Sequence, residues 1–346
     1  MILDEPKAIY GEKNTTRLAA DQLQCTFRLC LTADATSRGL SPILSLIKFF
    51  RTDRSIIPHE LLNEASKRKD WKMTEEVQVF LDKILLQRLK SSVAKYDGLN
   101  NIRPLETVDI LTELESMELE QYNQMEMELR NSFSQKAHSG SGKQKYISPL
   151  LNACYKNGMD SSKNRKTVEL LKKIFQDNAT EKVIITYTIK ASAVNNLAAM
   201  LTTLKWKFAS IKTNMTEKSR KGEMEKFKTD QDCRILLAPQ STMVGHNITE
   251  ASHVIFLNPS VVPHLEKQVI GRAARIGQLK PVHSYRVIAV GTVDERIVKV
   301  RKREESTDQN NFNSSKLSSE DEHFIVMGCS RVPRRNLRSS VKLRRG

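Results

Sequence analysis

The sequence contains few cysteines, and none of them forms a closely spaced pair. The five cysteines stand singly at positions 25, 30, 154, 233 and 329, and no CxxC motif occurs in the 346 residues. Paired cysteines are the usual mark of a disulfide framework or of a structural zinc site. The spacing therefore predicts reduced thiols in the cytosol or nucleus, and no bound zinc.

Long apolar runs and a signal peptide are also missing. No apolar stretch reaches the roughly 20 residues that cross a bilayer. The N-terminus lacks the basic and then apolar layout of a secretory signal. Apolar residues still make up 39% of the chain, which is enough for a buried core. We expect an intracellular protein without a membrane partner.

Positive charge is in excess. The chain has 56 Lys and Arg residues against 40 Asp and Glu residues, a formal net charge of +16. Such a charge favours polyanionic partners, among which nucleic acid is the commonest, although a merely basic protein would carry it too. Near the C-terminus, Arg334 and Arg335 are candidates for contact with the DNA backbone or for a nuclear localisation signal; a solvated terminus explains them equally well.

Strand and helix patterns alternate along the chain. Strand patterns occur at residues 1–5, 26–32 and after 105, with helical patterns at 15–23, 40–50 and 74–90 and a helix that reaches about residue 136. Regular alternation then predicts strands at 183–188, 208–212, 234–238, 253–257 and 283–290. Helices are predicted between and after these strands, at 191–204, 217–227, 264–275 and 293–303. This order predicts an α/β protein whose second half is a doubly wound parallel sheet.

The most specific motif runs from Gln268 to Gln278 and reads QVIGRAARIGQ. Arg272 and Arg275 lie three residues apart, on one face of a predicted helix. Planar guanidinium groups directed into a cleft suit the oxygens of a γ-phosphate that is passing to water. Solvated arginines on an amphipathic helix would explain a bare RxxR pair, but they do not explain the full pattern of glycines and glutamines.

This motif resembles motif six, QxxGRxxRxGQ, of the Swi/Snf helicase-like ATPases, a branch of helicase superfamily two. Residues 250–259, 280–286 and 291–297 are similar to the segments that flank that motif in the family, and the resemblance reaches loosely back to residue 1. The nearest group by these segments is the SHPRH group of E3 ubiquitin ligases.

The resemblance implies two RecA-like lobes, the first truncated and the second complete. Residues 1–137 would be the remnant of the ATP-binding lobe, and residues 138–180 a linker with connecting helices. Residues 181–305 would be the helicase C-terminal lobe, and residues 306–346 a disordered basic tail.

The resemblance also implies where chemistry takes place. Arg272 and Arg275 would be catalytic residues that face the γ-phosphate of ATP. Asp4 and Glu5 stand where the family carries its DEAH box, so Asp4 would hold Mg²⁺ and Glu5 would orient the attacking water.

Further residues are carried over from the family's motifs five and six. Gln268, Gly271 and Gly245 would contribute to the ATP site, and Ser241 and Thr242 would contact DNA. The implied partners are duplex DNA or chromatin and the N-terminal half of the ATPase lobe, and the implied location is the nucleus.

Several positions depart from the family pattern. Pro6 and Lys7 replace the Ala and His of the box, and motif three at residues 31–35 lacks its second Thr and its Pro. Motif five, at residues 241–249, keeps only part of its glycine-rich run. The one approach to a P-loop, at residues 140–144, ends in Gln144 and fits a flexible tether better than a phosphate-binding loop.

Three functional hypotheses follow from these matches and departures. The first is a piece of a longer or truncated DNA-dependent ATPase and translocase. The second is a catalytically inactive helicase-like module that binds DNA or chromatin. The third is an SHPRH-like ubiquitin ligase component, which the absence of RING-type cysteine spacing disfavours.

We predict that the 346-residue chain on its own hydrolyses no appreciable ATP. Without a P-loop, the triphosphate loses several charge-assisted hydrogen bonds worth about 1.5–3 kcal/mol each. Phosphate release measured with and without duplex DNA tests this. Turnover that Arg275→Ala abolishes would contradict the prediction and would also exclude the inactive-module hypothesis.

Overall fold

The computed structural model of the chain describes residues 1–10, 14–32, 40–51, 75–86, 107–135, 144–155, 161–243, 245–307 and 319–328. Within these ranges it contains two parallel sheets, one of two strands and one of six strands. Helices connect the strands, so the predicted α/β class is confirmed. No helix in the described ranges is long and apolar enough to cross a membrane.

The smaller sheet consists of two short parallel strands, β1 (Ile2–Asp4) and β2 (Leu29–Leu31). A 3-10 turn at Pro6–Ile9 follows β1, and the helices of this region are α1 (Thr15–Gln22), α2 (Leu40–Phe50) and α3 (Glu75–Ile84). Leu3 and Cys30 pack on one face of the sheet against a small core that contains Phe49. On the opposite face, Ile2 and Leu31 are exposed.

Buried Arg17 joins the helices of this small core. Its guanidinium group donates hydrogen bonds to the backbone oxygen of Ser45 at 2.8 Å and to Oδ2 of Asp21 at 2.7 Å. It also lies over the ring of Phe49, 5.3 Å from the centroid. A buried arginine is tolerated here because its donors and its charge both find partners.

The larger sheet holds six parallel strands in the order β3-β8-β7-β4-β6-β5. The strands are β3 (Thr107–Thr112), β4 (Val183–Tyr187), β5 (Phe208–Ser210), β6 (Ile235–Pro239), β7 (His253–Phe256) and β8 (His283–Ala289). The five strands predicted after residue 180 are confirmed, with ends that shift by one or two residues.

Both faces of the larger sheet are covered, because alternate residues of each strand point to opposite sides. Ile185 of β4 belongs to one apolar core and its neighbour Ile184 belongs to the other. The first core is completed by α4 (Ser116–Gln135), α5 (Gln144–Ala153), α6 (Ser162–Asp177), α7 (Ala191–Thr203) and α10 (Val293–Thr307). The second is completed by α8 (Glu217–Thr229) and α9 (Pro263–Ala273).

Helix ends are determined by local side chains. The Ser161 hydroxyl accepts a hydrogen bond from the Asn164 amide at 3.3 Å at the start of α6, and Thr216 does the same for Ser219 at 3.2 Å at the start of α8. At the other end of α8, the Lys182 ammonium group donates to three backbone oxygens, of which that of Asp230 is 3.0 Å away. Orphan donors and acceptors of the helix ends are thereby satisfied.

Strand β3 requires a correction to the expected division of the chain. It lies within residues 1–137, which the sequence assigned to the first lobe, yet it pairs with β8 along its whole length in the larger sheet. The hydroxyls of Thr107 and Ser284 are 2.7 Å apart across this ladder. Helix α4 follows β3 and buries Tyr122 and Phe133 in the first core of the same sheet.

The predicted disordered tail, residues 306–346, is wrong for residues 319–327. These residues form helix α11 (Ser319–Met327), which packs against α4, α5 and α10. Ile325 and Val326 are 0% exposed in the first core, and Arg303 lies over the Phe324 ring at 4.9 Å. Buried apolar area therefore holds the segment in place, and its acidic first turn suits the positive end of the helix dipole. Arg334 and Arg335 lie outside the described residues.

Replacing Ile325 by Ala should destabilise the chain, since the change leaves a cavity in the first core. The expected loss is about 2–5 kcal/mol in the free energy of unfolding. Phe27→Ala is the control, because the Phe27 side chain is 81% exposed and its loss should stay within about 0.5 kcal/mol. Urea unfolding of both variants measures the difference; equal midpoints would mean that α11 does not pack on the core.

Candidate functional site

The predicted site residues of the larger sheet follow the carboxyl ends of two strands that flank β4. Ser241, Thr242 and Gly245 follow β6, and the motif at Gln268–Gln278 follows β7. A 3-10 turn at Gln240–Thr242 packs against α9, so the two segments meet. Ligands of open parallel sheets bind beyond the carboxyl ends of the strands, which makes this edge the candidate site.

Helix α9 presents the motif. Ile270 and Ala273 are buried in the second core and hold the helix against the sheet. Gln268, Gly271 and Arg272 are half-buried. Arg272 lies in the last turn, where the negative end of the helix dipole favours a cation. The spacing of apolar residues thus leaves the amide and the guanidinium group outside the core.

Arg275 does not lie on the helix, contrary to the sequence prediction. Helix α9 ends at Ala273, because Ala274 adopts ψ 75° and leaves the helical conformation. Gly277 then has φ +99°, which side chains other than glycine rarely allow. Arg275 is exposed in the turn between them. The two arginines therefore stand on different backbone segments, one on the helix and one on the turn.

Gln278 holds this turn to the segment that follows β6. Its Nε2 donates towards the backbone oxygens of Thr249 at 2.9 Å, Ala251 at 2.8 Å and Ala273 at 3.2 Å. The backbone amide of Ile248 also donates to the Arg272 oxygen at 3.0 Å. Motifs five and six are thereby joined into one unit. Sequence reasoning quoted Gln278 in the motif but gave it no role, because its acceptors lie 27 to 29 residues away.

The motif-five residues divide into structural and accessible positions. The Thr242 hydroxyl donates to the Pro239 oxygen at 2.9 Å and is buried, whereas Ser241 is exposed. Gly245 is exposed with φ +85°, so a backbone conformation rather than a close contact requires glycine. Of the two proposed DNA contacts, Ser241 alone has a side chain at the surface.

The charge around motif five is positive. Burial lowers the pKa of His246, and the nearby positive charges of Arg220, Lys228 and Arg272 lower it further. These causes add, since each disfavours the protonated imidazole. The surroundings of Arg272 therefore favour an anion over a cation.

Three side chains near this edge have buried polar atoms without a hydrogen-bond partner among the described residues. They are Thr186 through its hydroxyl, Gln240 through both ends of its amide, and Gln268 through its amide nitrogen. Gln240 is only 3% exposed. Buried polar groups are nearly always paired, so these atoms mark positions suited to a bound polar group. Sequence reasoning missed Gln240, for which no signal beyond its place after β6 was available.

Asp4 and Glu5 lie at the carboxyl end of β1, next to the end of β2. The Glu5 amide donates to the Leu31 oxygen at 2.8 Å, and Glu5 itself has φ 49°. A positive φ is uncommon for a residue with a side chain and costs about 1–3 kcal/mol. Such strain concentrates at functional sites, which agrees with the carboxylate role expected of Glu5.

The donor set can be compared with what ATP and Mg²⁺ require. The arginines and the Gln268 amide nitrogen are donors, which suits phosphate oxygens. Asp4 and Glu5 offer two adjacent carboxylates, and Mg²⁺ is commonly held by one or two carboxylates together with phosphates. No cluster of three or more His, Cys, Asp or Glu side chains suited to a metal occurs in the part of the chain that the structure describes. The residues present fit magnesium bound jointly with a nucleotide.

Gln278→Leu should loosen the junction of the two motifs. Three backbone oxygens lose their donor, so we expect a loss of about 1–3 kcal/mol in the free energy of unfolding and faster exchange of the Ile248 amide. Leu279→Ala is the neighbouring control, because Leu279 is 89% exposed. Denaturant unfolding and hydrogen exchange report the two effects. Equal exchange in both variants would exclude a holding role for Gln278.

Two family descriptions match the chain. Residues 1–158 match the SNF2-related domain, and residues 163–277 match the helicase conserved C-terminal domain. Strand β3 thus falls in the part matched by the first description, although it pairs in the larger sheet.

Curated relatives cover parts of the chain at moderate identity. The chain is 31% identical over 152 residues to an uncharacterized ATP-dependent helicase of Schizosaccharomyces pombe, which is 43% of this chain and 14% of that protein. It is 31% identical over 150 residues to the DNA repair protein rad8 of the same organism, 43% and 13% respectively. It is 23% identical over 311 residues to an uncharacterized ATP-dependent helicase of Mycoplasma genitalium, 88% and 30%. The chain therefore spans less than a third of the length of each.

Solved structures share the fold of both sheets. The chain resembles the SWI2/SNF2 ATPase core domain of Sulfolobus solfataricus with a TM-score of 0.53 at 17% identity, covering 96% of this chain and 71% of that one. The same core in complex with dsDNA gives 0.51 at 19% identity, covering 94% and 69%. At such identities the likeness shows the fold alone, which confirms the predicted pair of RecA-like lobes. The chain thus contains a region that matches the SNF2-related domain and a region that matches the helicase conserved C-terminal domain, on the fold of the SWI2/SNF2 ATPase core.

Proposed function

We propose that the chain is part of an SNF2-type, DNA-dependent ATPase that acts on duplex DNA or chromatin in the nucleus. One observation carries the proposal. The end of α9, with Arg272 and the turn that bears Arg275, is tied by Gln278 to Thr249 and Ala251, which lead from the motif-five segment into β7. Basic donors held together on one firmly anchored segment suit a nucleotide phosphate.

The site residues divide the work of hydrolysis. Asp4 would hold Mg²⁺, Glu5 would orient the attacking water, and the arginines would neutralise the charge that develops on the γ-phosphate oxygens. When bound, ATP and Mg²⁺ supply the phosphoryl group and the metal charge. Gln268 would add a neutral donor through its amide nitrogen. Gly271 and Gly245 would shape the backbone around the nucleotide.

DNA is the proposed polymer substrate. The net charge of +16 favours a polyanion, and Ser241 after β6 is exposed. A DNA repair protein is among the relatives, and one similar ATPase core has been solved with dsDNA. Arg334 and Arg335 would add contacts to the phosphate backbone.

The proposed partner of the smaller sheet is a further segment of an ATP-binding lobe. Ile2, Leu29 and Leu31 expose apolar side chains on one face of a sheet of only two strands. A two-stranded sheet is marginal without additional packing. A neighbouring α/β segment that carries a P-loop would cover this face and bring phosphate-binding groups towards Asp4.

A second candidate function is a catalytically inactive module that binds DNA or chromatin. The observation that favours it is the set of departures in the DEAH-like box and in motifs three and five. The closeness to SHPRH-like ligases remains a prediction. Detection of bound zinc in the purified protein would support a role as a ligase component.

ATP turnover in the presence of duplex DNA tests the proposal. We would assay phosphate release for this chain and for the product of the longest reading frame that contains it. In a form that hydrolyses ATP, Arg272→Ala and Arg275→Ala should each lower kcat by about a thousandfold, as removal of an arginine finger does. Binding to labelled duplex should persist in both variants.

The matched control is Lys221→Ala, an exposed cation on α8 that pairs with Glu217 at 2.7 Å. It removes one positive charge away from the site and should leave turnover unchanged. Turnover that survives loss of both arginines would overturn their assignment. DNA binding without turnover in any form would favour the inactive module, and absence of DNA binding would overturn both candidates.

A further inference from the structure

Four charged side chains form a chain of ion pairs from the edge of the larger sheet to α9. On β8, Arg286 lies opposite Asp109 of β3 and donates to its Oδ1 from Nε at 2.8 Å and from Nη2 at 2.7 Å. The third nitrogen, Nη1, lies 3.3 Å from Oε2 of Glu266 on α9. The other oxygen of Glu266 accepts from Arg301 of α10 at 2.6 Å.

These groups are withdrawn from solvent. The side chains of Asp109, Arg286, Arg301 and Glu266 are 18%, 9%, 6% and 3% exposed. Charges this buried are strongly destabilising unless every one is paired, so each carboxylate depends on its arginine partner. The pairs are therefore screened little by salt and sensitive to geometry.

Glu266 fixes the start of α9. Besides the two arginines, it accepts the backbone amide of Ser260 at 2.7 Å, in the loop after β7. It lies in the first turn of α9, where the helix dipole also favours a carboxylate. Arg272 follows six residues later on the same helix, about 9 Å along its axis. A shift or rotation imposed at Glu266 therefore displaces Arg272 with it.

The other end of the ion-pair chain is Asp109, on the strand that follows the elements of the smaller sheet in the sequence. Strand β3 is the first strand of the larger sheet in sequence order and stands at its edge. Among the described residues, the guanidinium group of Arg286 joins Asp109 to α9. That group contacts the two carboxylates through different edges of its planar fork, a geometry that the compact ammonium group of lysine lacks.

We propose that Arg286 is a positioning residue that couples strand β3 to helix α9, so that the placement of Gln268 and Arg272 depends on Asp109. The coupling is a property of the fold, and its importance for ATP rests on the proposed function. A movement of strand β3 would then move helix α9, which carries Arg272, through these ion pairs.

Hydrogen exchange of the full chain, without nucleotide or DNA, tests the coupling. Asp109→Asn, which alters no residue that touches α9, should speed exchange of α9 amides such as those of Ile270 and Ala274 by tenfold or more. Arg286→Lys keeps the charge and should have the same effect, while α8 amides change less than twofold. Combining Asp109→Asn with Glu266→Gln should add nothing to the Glu266→Gln effect on α9.

Two controls separate coupling from general loss of stability. Lys302→Ala removes an exposed ion pair, 3.1 Å long, from the other oxygen of Asp109 and should leave α9 exchange within twofold. Glu126→Gln breaks a comparably buried network with Arg130 and Arg296, and it should speed exchange in α4 and α10 but not in α9.

The outcomes are distinct. Unchanged α9 exchange in folded Asp109→Asn and Arg286→Lys proteins would overturn the proposal. An equal rise of hydrogen exchange in α8 and in α9 would indicate a general loss of stability and would also overturn the proposal. Should Asp109→Asn fail to fold by circular dichroism, folded Arg286→Lys decides alone. Since no nucleotide is present, failure here leaves the proposed ATPase intact, and failure of the ATPase test leaves the coupling intact.

Discussion

The parallel pairing of six strands is the constraint on which the rest of the larger domain depends. A parallel sheet must be covered on both faces, which explains why whole strands such as Val183–Tyr187 are buried rather than alternating with exposed residues. The same pairing places all carboxyl ends of the strands on one edge. The amino ends lie together on the opposite edge, where Gln278 before β8 bridges to Thr249 and Ala251 before β7 although these acceptors are remote in sequence.

Burial of the sheet also decides how charge is arranged inside the domain. Arg286 sits in the middle of β8, covered by strands on both sides, and its charge is balanced by Asp109 and Glu266. Lys163 and Asp294 form a second ion pair with side chains 0% exposed, and the Lys163 ammonium lies 4.8 Å from the Tyr155 ring centroid. Replacing one member of such pairs leaves an uncompensated charge, so these positions tolerate little change.

Local patterns in the sequence were sufficient for most elements of the larger sheet, since each strand and each helix after residue 180 has its own apolar period. They were insufficient where partners are distant. Strand β3 could have joined either sheet, and its place is set by pairing with β8 and by Asp109 meeting Arg286, 177 residues away. The end of α9 depends on Gly277 and Gln278, so Arg275 was placed on a helix that stops before it. Helix α11 has its apolar residues in one run at residues 324–327 rather than at helical spacing, and burial of Ile325 and Val326 becomes visible only in the fold.

The departures from the family pattern do not all have the same physical weight. Pro6 replaces Ala in the box, but it opens a 3-10 turn, where a residue without an N–H is well suited. The position before a proline is ordinarily held in extended conformations, so the φ of 49° at Glu5 is maintained by its hydrogen bond to Leu31 against local preference. Gln240 is different, because its amide is buried at the carboxyl end of β6 with neither end paired among the described residues. A change that the backbone accommodates is weak evidence for lost activity, whereas a buried amide without a partner is costly unless a bound group satisfies it. Under the proposed function, the pairing of Gln240 just before motif five, more than the box at Asp4 and Glu5, would therefore separate a working ATPase from an inactive module.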